Sequence, residues 1–118
     1  MIFKGISMVF DLTDEQQYTT IGQFWNRMAT LYGLENLRGL GYEWQGKSLY
    51  YAIGLKYGDI ENYNVCIQLP DDGWKTLKGQ TDCLKAMYDE IYRNGRLQYE
   101  FETFYENGTC EIRYYRMK

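Results

Sequence analysis

The C-terminal part of the chain contains the sequence YEFETFYENGTCEIRYYR at residues 99–116, which predicts a β-hairpin. Asn107-Gly108 is the strongest short-range signal for its turn, because both central residues of a type I′ turn require positive φ. Alternation divides the first strand into two faces, with Glu100, Glu102 and Phe104 on one and Tyr99, Phe101, Thr103 and Tyr105 on the other. The two glutamates either face water or lie at the edge or floor of a cavity that requires negative charge.

Composition and charge limit the classes of partner. The 118 residues predict one domain with one main core, and 13 of them are tyrosine. Tyrosine combines a large ring with a polar tip, so this enrichment suits a ligand cavity, an interface or a sheet stiffened by aromatic pairs. The net charge is −3 and the positive charges are scattered, which argues against nucleic-acid binding and favours a cationic partner.

Cysteine and histidine usage predicts no metal site and no cofactor. Cys66, Cys83 and Cys110 are far apart without a C-x-x-C pair, and the chain has no histidine. Isolated cysteines of this kind are typical of proteins in a reducing cytosol, where they serve as small apolar residues. The apolar N-terminus ends at Asp11, too early for a signal peptide, and no run approaches the roughly 20 apolar residues of a membrane helix. We therefore predict a cytoplasmic protein that has no membrane partner.

Two segments show the apolar spacing of amphipathic helices. The first is predicted from a cap at Thr19 or Thr20 to about Tyr32, and the second from about residue 81 to Asn94-Gly95. The apolar positions are Ile21, Phe24, Trp25, Met28, Leu31 and Tyr32 in the first helix and Leu84, Met87, Tyr88, Ile91 and Tyr92 in the second.

Strands are predicted at residues 2–10, 37–44, 48–57, 62–69 and 74–78, in addition to the hairpin. A strand, a helix and two strands thus occur twice, in pseudo-repeat halves of about residues 1–57 and 63–118. We expect an α+β fold in which two pseudo-twofold-related strand-helix-strand-strand units form a mainly antiparallel sheet with two helices on one face. A groove between the units is a usual place for a ligand.

The residues that carry a family resemblance are spread along nearly the whole chain. They are Gly5-Ile6-Ser7, Ile21 with Phe24-Trp25, Tyr50-Tyr51-Ala52-Ile53-Gly54, Leu69-Pro70 with Trp74 and Gly79, Phe101-Glu102-Thr103-Phe104, and Glu111-Ile112. In this order and spacing they resemble the GyrI-like small-molecule-binding family, also described as the AraC-type effector-binding domain.

The resemblance implies a fold and a ligand class. It implies two strand-helix-strand-strand units that bind hydrophobic, often cationic, aromatic compounds between them, with a buried glutamate at the centre. The segment from Phe101 to Phe104 matches the family's Phe-Glu-x-Tyr pattern, so Glu102 takes the role of that glutamate and Phe104 replaces the tyrosine. The chain shows no helix-turn-helix region, so we expect a free-standing binding domain.

The candidate ligand-binding residues are Glu102, Glu100, Trp25, Tyr51, Trp74 and Tyr88. A glutamate in an aromatic cavity costs several kcal/mol to desolvate when it is charged and unpaired, so a lipophilic cation would supply its partner. Without ligand its pKa should be raised. The alternative is a solvated strand position for the glutamates and core packing for the aromatic residues.

Two other functions use the same residues. One is a hydrolase of strained or electrophilic toxins, in which the glutamate activates water and tyrosine hydroxyls polarise the substrate. The other is a protein-interaction module that pairs with a separate regulatory protein or forms a homodimer. No residue is assigned a catalytic role, and the hypothesis we prefer is binding of a hydrophobic aromatic cation without chemistry.

Overall fold

The computed structural model describes residues 1–11 and 17–117 of the chain. Two α-helices, seven strands and two short 3₁₀ turns account for most of this part of the chain. The helices are α1 (Gln17–Tyr32) and α2 (Leu84–Arg93). The strands are β1 (Ile2–Asp11), β2 (Leu37–Gln45), β3 (Ser48–Leu55), β4 (Val65–Gln68), β5 (Lys75–Gln80), β6 (Leu97–Phe104) and β7 (Thr109–Arg116).

The strands form one antiparallel sheet in the order β4-β1-β3-β2-β6-β7-β5. Apart from β4 this order is symmetrical, because β1, β3 and β2 on one side correspond to β5, β7 and β6 on the other. A helix follows the first strand of each set, so the predicted α+β fold of two strand-helix-strand-strand units is confirmed. Although β4 falls in the second predicted half, it pairs with β1, with Ile67 opposite Phe3. The second symmetrical unit therefore begins at β5.

Both helices lie on one face of the sheet because each has one apolar stripe. Phe24, Trp25 and Met28 of α1 are buried in the same cluster as Met87, Tyr88 and Ile91 of α2, with the same spacing. Helix α1 includes Thr19 and Thr20, so the prediction that one of them caps it is wrong. Across the described ranges no helix is long and apolar enough to span a bilayer.

A second, smaller apolar cluster covers the opposite face of the sheet. Its buried members include Phe3, Leu40 and Phe101, and Tyr99 packs against it. The Arg38 guanidinium lies over the Phe3 and Phe101 rings, 5.6 and 5.0 Å from their centroids. Tyr99 and Phe101 face this cluster, so Glu100 and Glu102, which alternate with them, lie on the helix side of the sheet. Alternation predicted that β6 is divided into these two faces.

The predicted hairpin forms from β6 and β7, but its turn differs from the prediction. The Tyr105 amide donates to the Thr109 carbonyl, and the Gly108 amide donates to the Tyr105 carbonyl. Gly108 has a φ of +86°, whereas Asn107 is not at positive φ. This is a three-residue loop with glycine in the left-handed region rather than a type I′ turn. The Asn107 side chain instead accepts hydrogen bonds from the Thr109 amide and hydroxyl.

Candidate ligand-binding site

A cavity of about 700 Å³ lies between α1 and α2, over the middle of the sheet where β2 pairs with β6. Its walls are mostly aromatic and aliphatic, and no lysine or arginine is among the described residues that line it. The lining residues are Ile21, Gly22, Trp25, Asn26, Leu34, Trp44, Leu49, Tyr51, Thr81, Leu84, Tyr88, Tyr92, Glu100, Glu102, Phe104, Tyr105, Glu106 and Gly108.

Glu102 lies on the floor of the cavity and is held by a chain of hydrogen bonds from the first unit. The Trp25 indole nitrogen donates to the Tyr51 hydroxyl at 2.7 Å, and that hydroxyl donates to Glu102 Oε1. All three side chains are at most 5% exposed. Burial raises the pKa of Glu102, and the hydroxyls of Tyr51 and Tyr88 oppose that rise. Burial and the charge of Glu102 also raise the Tyr51 pKa, so Tyr51 remains a donor.

Glu100 lies beside Glu102 on the same face of β6 and is held from the second unit. Its Oε2 accepts a hydrogen bond from the Tyr92 hydroxyl of α2 at 2.7 Å, and its side chain is 4% exposed. Burial, followed by the charge of Glu102, raises its pKa from 4.5 to about 8, while the Tyr92 hydrogen bond opposes the rise. Among the described residues neither glutamate forms an ion pair.

Two glycines of β2 make room for this arrangement. Gly39 lies opposite Glu102 and Gly41 opposite Glu100 in the β2–β6 register. A Cβ at Gly39 would overlap the Tyr51 hydroxyl, and a Cβ at Gly41 would lie 2.8 Å from the Glu100 carboxyl oxygen. The glycines that weaken β2 as a strand therefore create the space for both carboxyls and for the tyrosine that holds one of them.

A β-bulge brings Trp44 into the cavity wall. The β2–β3 register shifts between Tyr42 and Gln45, and Glu43 within the bulge has a φ of +49°. Simple alternation would place Trp44 on the same face as Tyr42, which belongs to the cluster on the far side of the sheet. The extra residue reverses that assignment, and Trp44 lines the cavity instead.

Among the described residues, two hydroxyl groups in the cavity wall are buried without well-aligned hydrogen-bond partners. They are those of Tyr88 and Thr81. The Tyr88 hydroxyl is close enough to favour the ionised form of Glu102, but it forms no well-aligned hydrogen bond with it. Its ring stacks on Tyr92, with centroids 5.6 Å apart. Such unsatisfied groups are uncommon in protein interiors and are available to a ligand.

The structure brings together most of the residues singled out in the sequence. Glu102, Glu100, Trp25, Tyr51 and Tyr88 all line the cavity. Trp74 lies apart from them, since it packs near Phe101 on the far face of the sheet and donates to the Pro70 carbonyl at 2.8 Å. Trp74 is therefore not part of the proposed site. Sequence reasoning missed Trp44, Gly39 and Gly41, and it noted Tyr92 only as an apolar helix position.

The described residues offer no place for a metal ion. Across residues 1–11 and 17–117 no group of three histidine, cysteine, aspartate or glutamate side chains could hold one. Among the described residues, Glu100 and Glu102 accept hydrogen bonds from tyrosine hydroxyls, and the walls around them are mostly apolar. This environment can hold an organic cation, whose positive charge would approach the carboxyls while its apolar surface contacts the rings.

Comparison with known proteins gives one similar fold. No protein-family model matches the chain, and no curated protein matches it by sequence. A solved structure, that of SAV2435 bound to tetraphenylphosphonium, matches with a TM-score of 0.67 and 16% sequence identity. The match covers 97% of this chain and 87% of that one. At this identity the likeness establishes the fold that the two proteins share.

Proposed function

We propose that the protein binds hydrophobic aromatic cations in the cavity between its two helices, as a domain of the GyrI-like type. The observation that carries the proposal is the pair Glu100 and Glu102, two buried carboxyls in an aromatic cavity without an ion-pair partner among the described residues. Uncompensated buried charge is costly, and a bound cation would remove that cost.

The walls suit the apolar part of such a ligand. Trp25, Trp44, Tyr51 and Tyr88 line the cavity together with Phe104. Aromatic faces attract a cation by roughly 0.5–2 kcal/mol each, and the attraction grows as water is excluded. The volume of about 700 Å³ is in the range of small-molecule sites. The shared fold with SAV2435, solved with tetraphenylphosphonium, adds support for this ligand class.

Isothermal titration calorimetry with tetraphenylphosphonium tests the proposal. We expect saturable binding near micromolar, about −8 kcal/mol. Glu102→Gln should weaken it at least tenfold, because glutamine keeps the shape of the side chain and removes its charge. Glu100 remains in that variant, so the double variant Glu100→Gln, Glu102→Gln should bind more weakly still.

The matched control is Glu90→Gln, which removes one negative charge from the exposed surface of α2. It should bind as the wild type does. Equal binding by the wild type and the double variant would show that the carboxyls have no part in recognition. If neither tetraphenylphosphonium nor other aromatic cations bind at all, the proposal is wrong.

A further inference from the structure

We propose that the ligand that complements this cavity fully is an aromatic dication, with one cationic group at Glu102 and the other at Glu100. This inference rests on the proposed function and specifies its ligand class. It starts from the number of buried carboxyls, since a single cation can neutralise only one of them.

The two carboxyls are separate acceptor positions. Glu102 is anchored from α1 and β3 through Trp25 and Tyr51, whereas Glu100 is anchored from α2 through Tyr92. Residues i and i+2 on one face of a strand lie about 6.6 Å apart. Each carboxyl accepts one of these hydrogen bonds through one oxygen. Among the described residues its other oxygen accepts no well-aligned hydrogen bond, so each can receive a separate cationic group.

Because the buried charges must balance, a monocation and a dication should release different numbers of protons when they bind. When a monocation pairs with Glu102, Glu100 has no cationic partner and keeps its proton at neutral pH, because burial, the larger cause of its raised pKa of about 8, still acts. When a dication pairs with both carboxyls, Glu100 ionises and its proton is released to the buffer. Up to about pH 8, dication affinity should therefore rise with pH more steeply than monocation affinity, by about tenfold more per pH unit.

A matched pair of ligands tests this. Benzamidine carries one amidinium group, and terephthalamidine carries two at opposite ends of the same ring. Calorimetry at pH 7, in two buffers of different ionisation enthalpy, counts the protons released. We expect terephthalamidine to bind at least tenfold more tightly than benzamidine and to release about one proton more.

The variant Glu100→Gln removes the carboxyl of the second cation position and keeps that of Glu102. It should abolish the additional proton release of terephthalamidine and bring the ratio of the terephthalamidine and benzamidine affinities close to one. Glu90→Gln, on the exposed surface of α2, should leave all of these quantities unchanged.

The three cations distinguish a failure of the dication inference from a failure of the proposed function. If benzamidine and tetraphenylphosphonium bind but terephthalamidine gains no affinity over benzamidine and releases no additional proton, the dication inference is overturned and cation binding stands. If none of the three cations binds, both are overturned.

Discussion

Gly39 lies directly opposite Glu102 in the β2–β6 pair, and the space left by its missing side chain holds the Tyr51 hydroxyl that donates to the Glu102 carboxyl. A residue with no side chain thus determines where a charged group can be held. The same relationship recurs one pair along, where Gly41 lies opposite Glu100. The floor of the cavity depends on the two glycines together with the two glutamates opposite them.

Gly39→Ala should destabilise the protein and weaken cation binding. The new Cβ would overlap the Tyr51 hydroxyl and approach a Trp25 ring carbon at 2.7 Å, and both groups are buried. Overpacking of this kind costs about 1–3 kcal/mol, which urea unfolding can measure. Gly22→Ala is the matched control, because no atom lies within 4 Å of its new Cβ and Gly22 is within α1. That variant should be more stable than the wild type by about 0.5–1 kcal/mol. Equal stability of Gly39→Ala and the wild type would contradict the packing described here.

The stability of the unliganded protein should fall as the pH rises from about 4.5 to about 8. Glu100 loses its proton near 4.5 when unfolded but only near 8 when folded, so the folded state binds more protons between these values. Its contribution to stability is complete below about pH 4.5 and is lost as the pH approaches about 8. Urea unfolding at about pH 5.5 and about pH 8.5 measures the difference. Glu100→Gln should reduce this difference in the free energy of unfolding. If the difference is unchanged in that variant, Glu100 is not its source.

Removing the buried Tyr51 hydroxyl and removing the buried Tyr88 hydroxyl should have opposite effects on stability. Tyr51→Phe breaks the hydrogen bonds with Trp25 and Glu102, so it should destabilise the protein by about 1–3 kcal/mol. Tyr88→Phe removes a buried hydroxyl that has no well-aligned hydrogen-bond partner among the described residues, so it should be neutral or stabilise by about 1 kcal/mol. Thermal unfolding of the two variants, without ligand, checks the contrast. Equal losses would mean that the Tyr88 hydroxyl is also satisfied in the folded protein.

The sequence predicted the fold well because the relevant signals are local. The helical spacing of Phe24, Trp25 and Met28 identifies a buried stripe without knowledge of what covers it. Alternation along β6 likewise assigned Glu100 and Glu102 to one face, and they are on the cavity side. What alternation could not give was their burial, which depends on where the helices lie.

The features that the sequence did not predict depend on contacts between distant segments. The role of Gly39 follows from the β2–β6 register, which joins residues far apart in the chain. Trp44 reaches the cavity through a bulge at Glu43, and one extra residue reverses every later side-chain direction. Trp74 follows a loop after β4 that carries it to the far face of the sheet, where Phe101 is its neighbour.

Ligand binding should change the fluorescence of Trp25 and Trp44 but not that of Trp74. The first two line the cavity, whereas Trp74 lies on the far side of the sheet under the Arg113 guanidinium, 5.4 Å from its ring centroid. The chain has three tryptophans, so Trp74→Phe leaves only the two in the cavity wall. This variant should keep the full fluorescence change on titration with tetraphenylphosphonium.

Trp44→Phe should lose part of that change, and Trp44→Ala should weaken binding by about tenfold, or 1.4 kcal/mol, because one aromatic wall is removed. Trp44 is the better of the two cavity tryptophans to replace, since the indole nitrogen of Trp25 also supports Tyr51. A fluorescence change that disappears in Trp74→Phe and survives in Trp44→Phe would place the ligand on the opposite face of the sheet. Glu100 and Glu102 would then have no direct contact with it, because both face the helices.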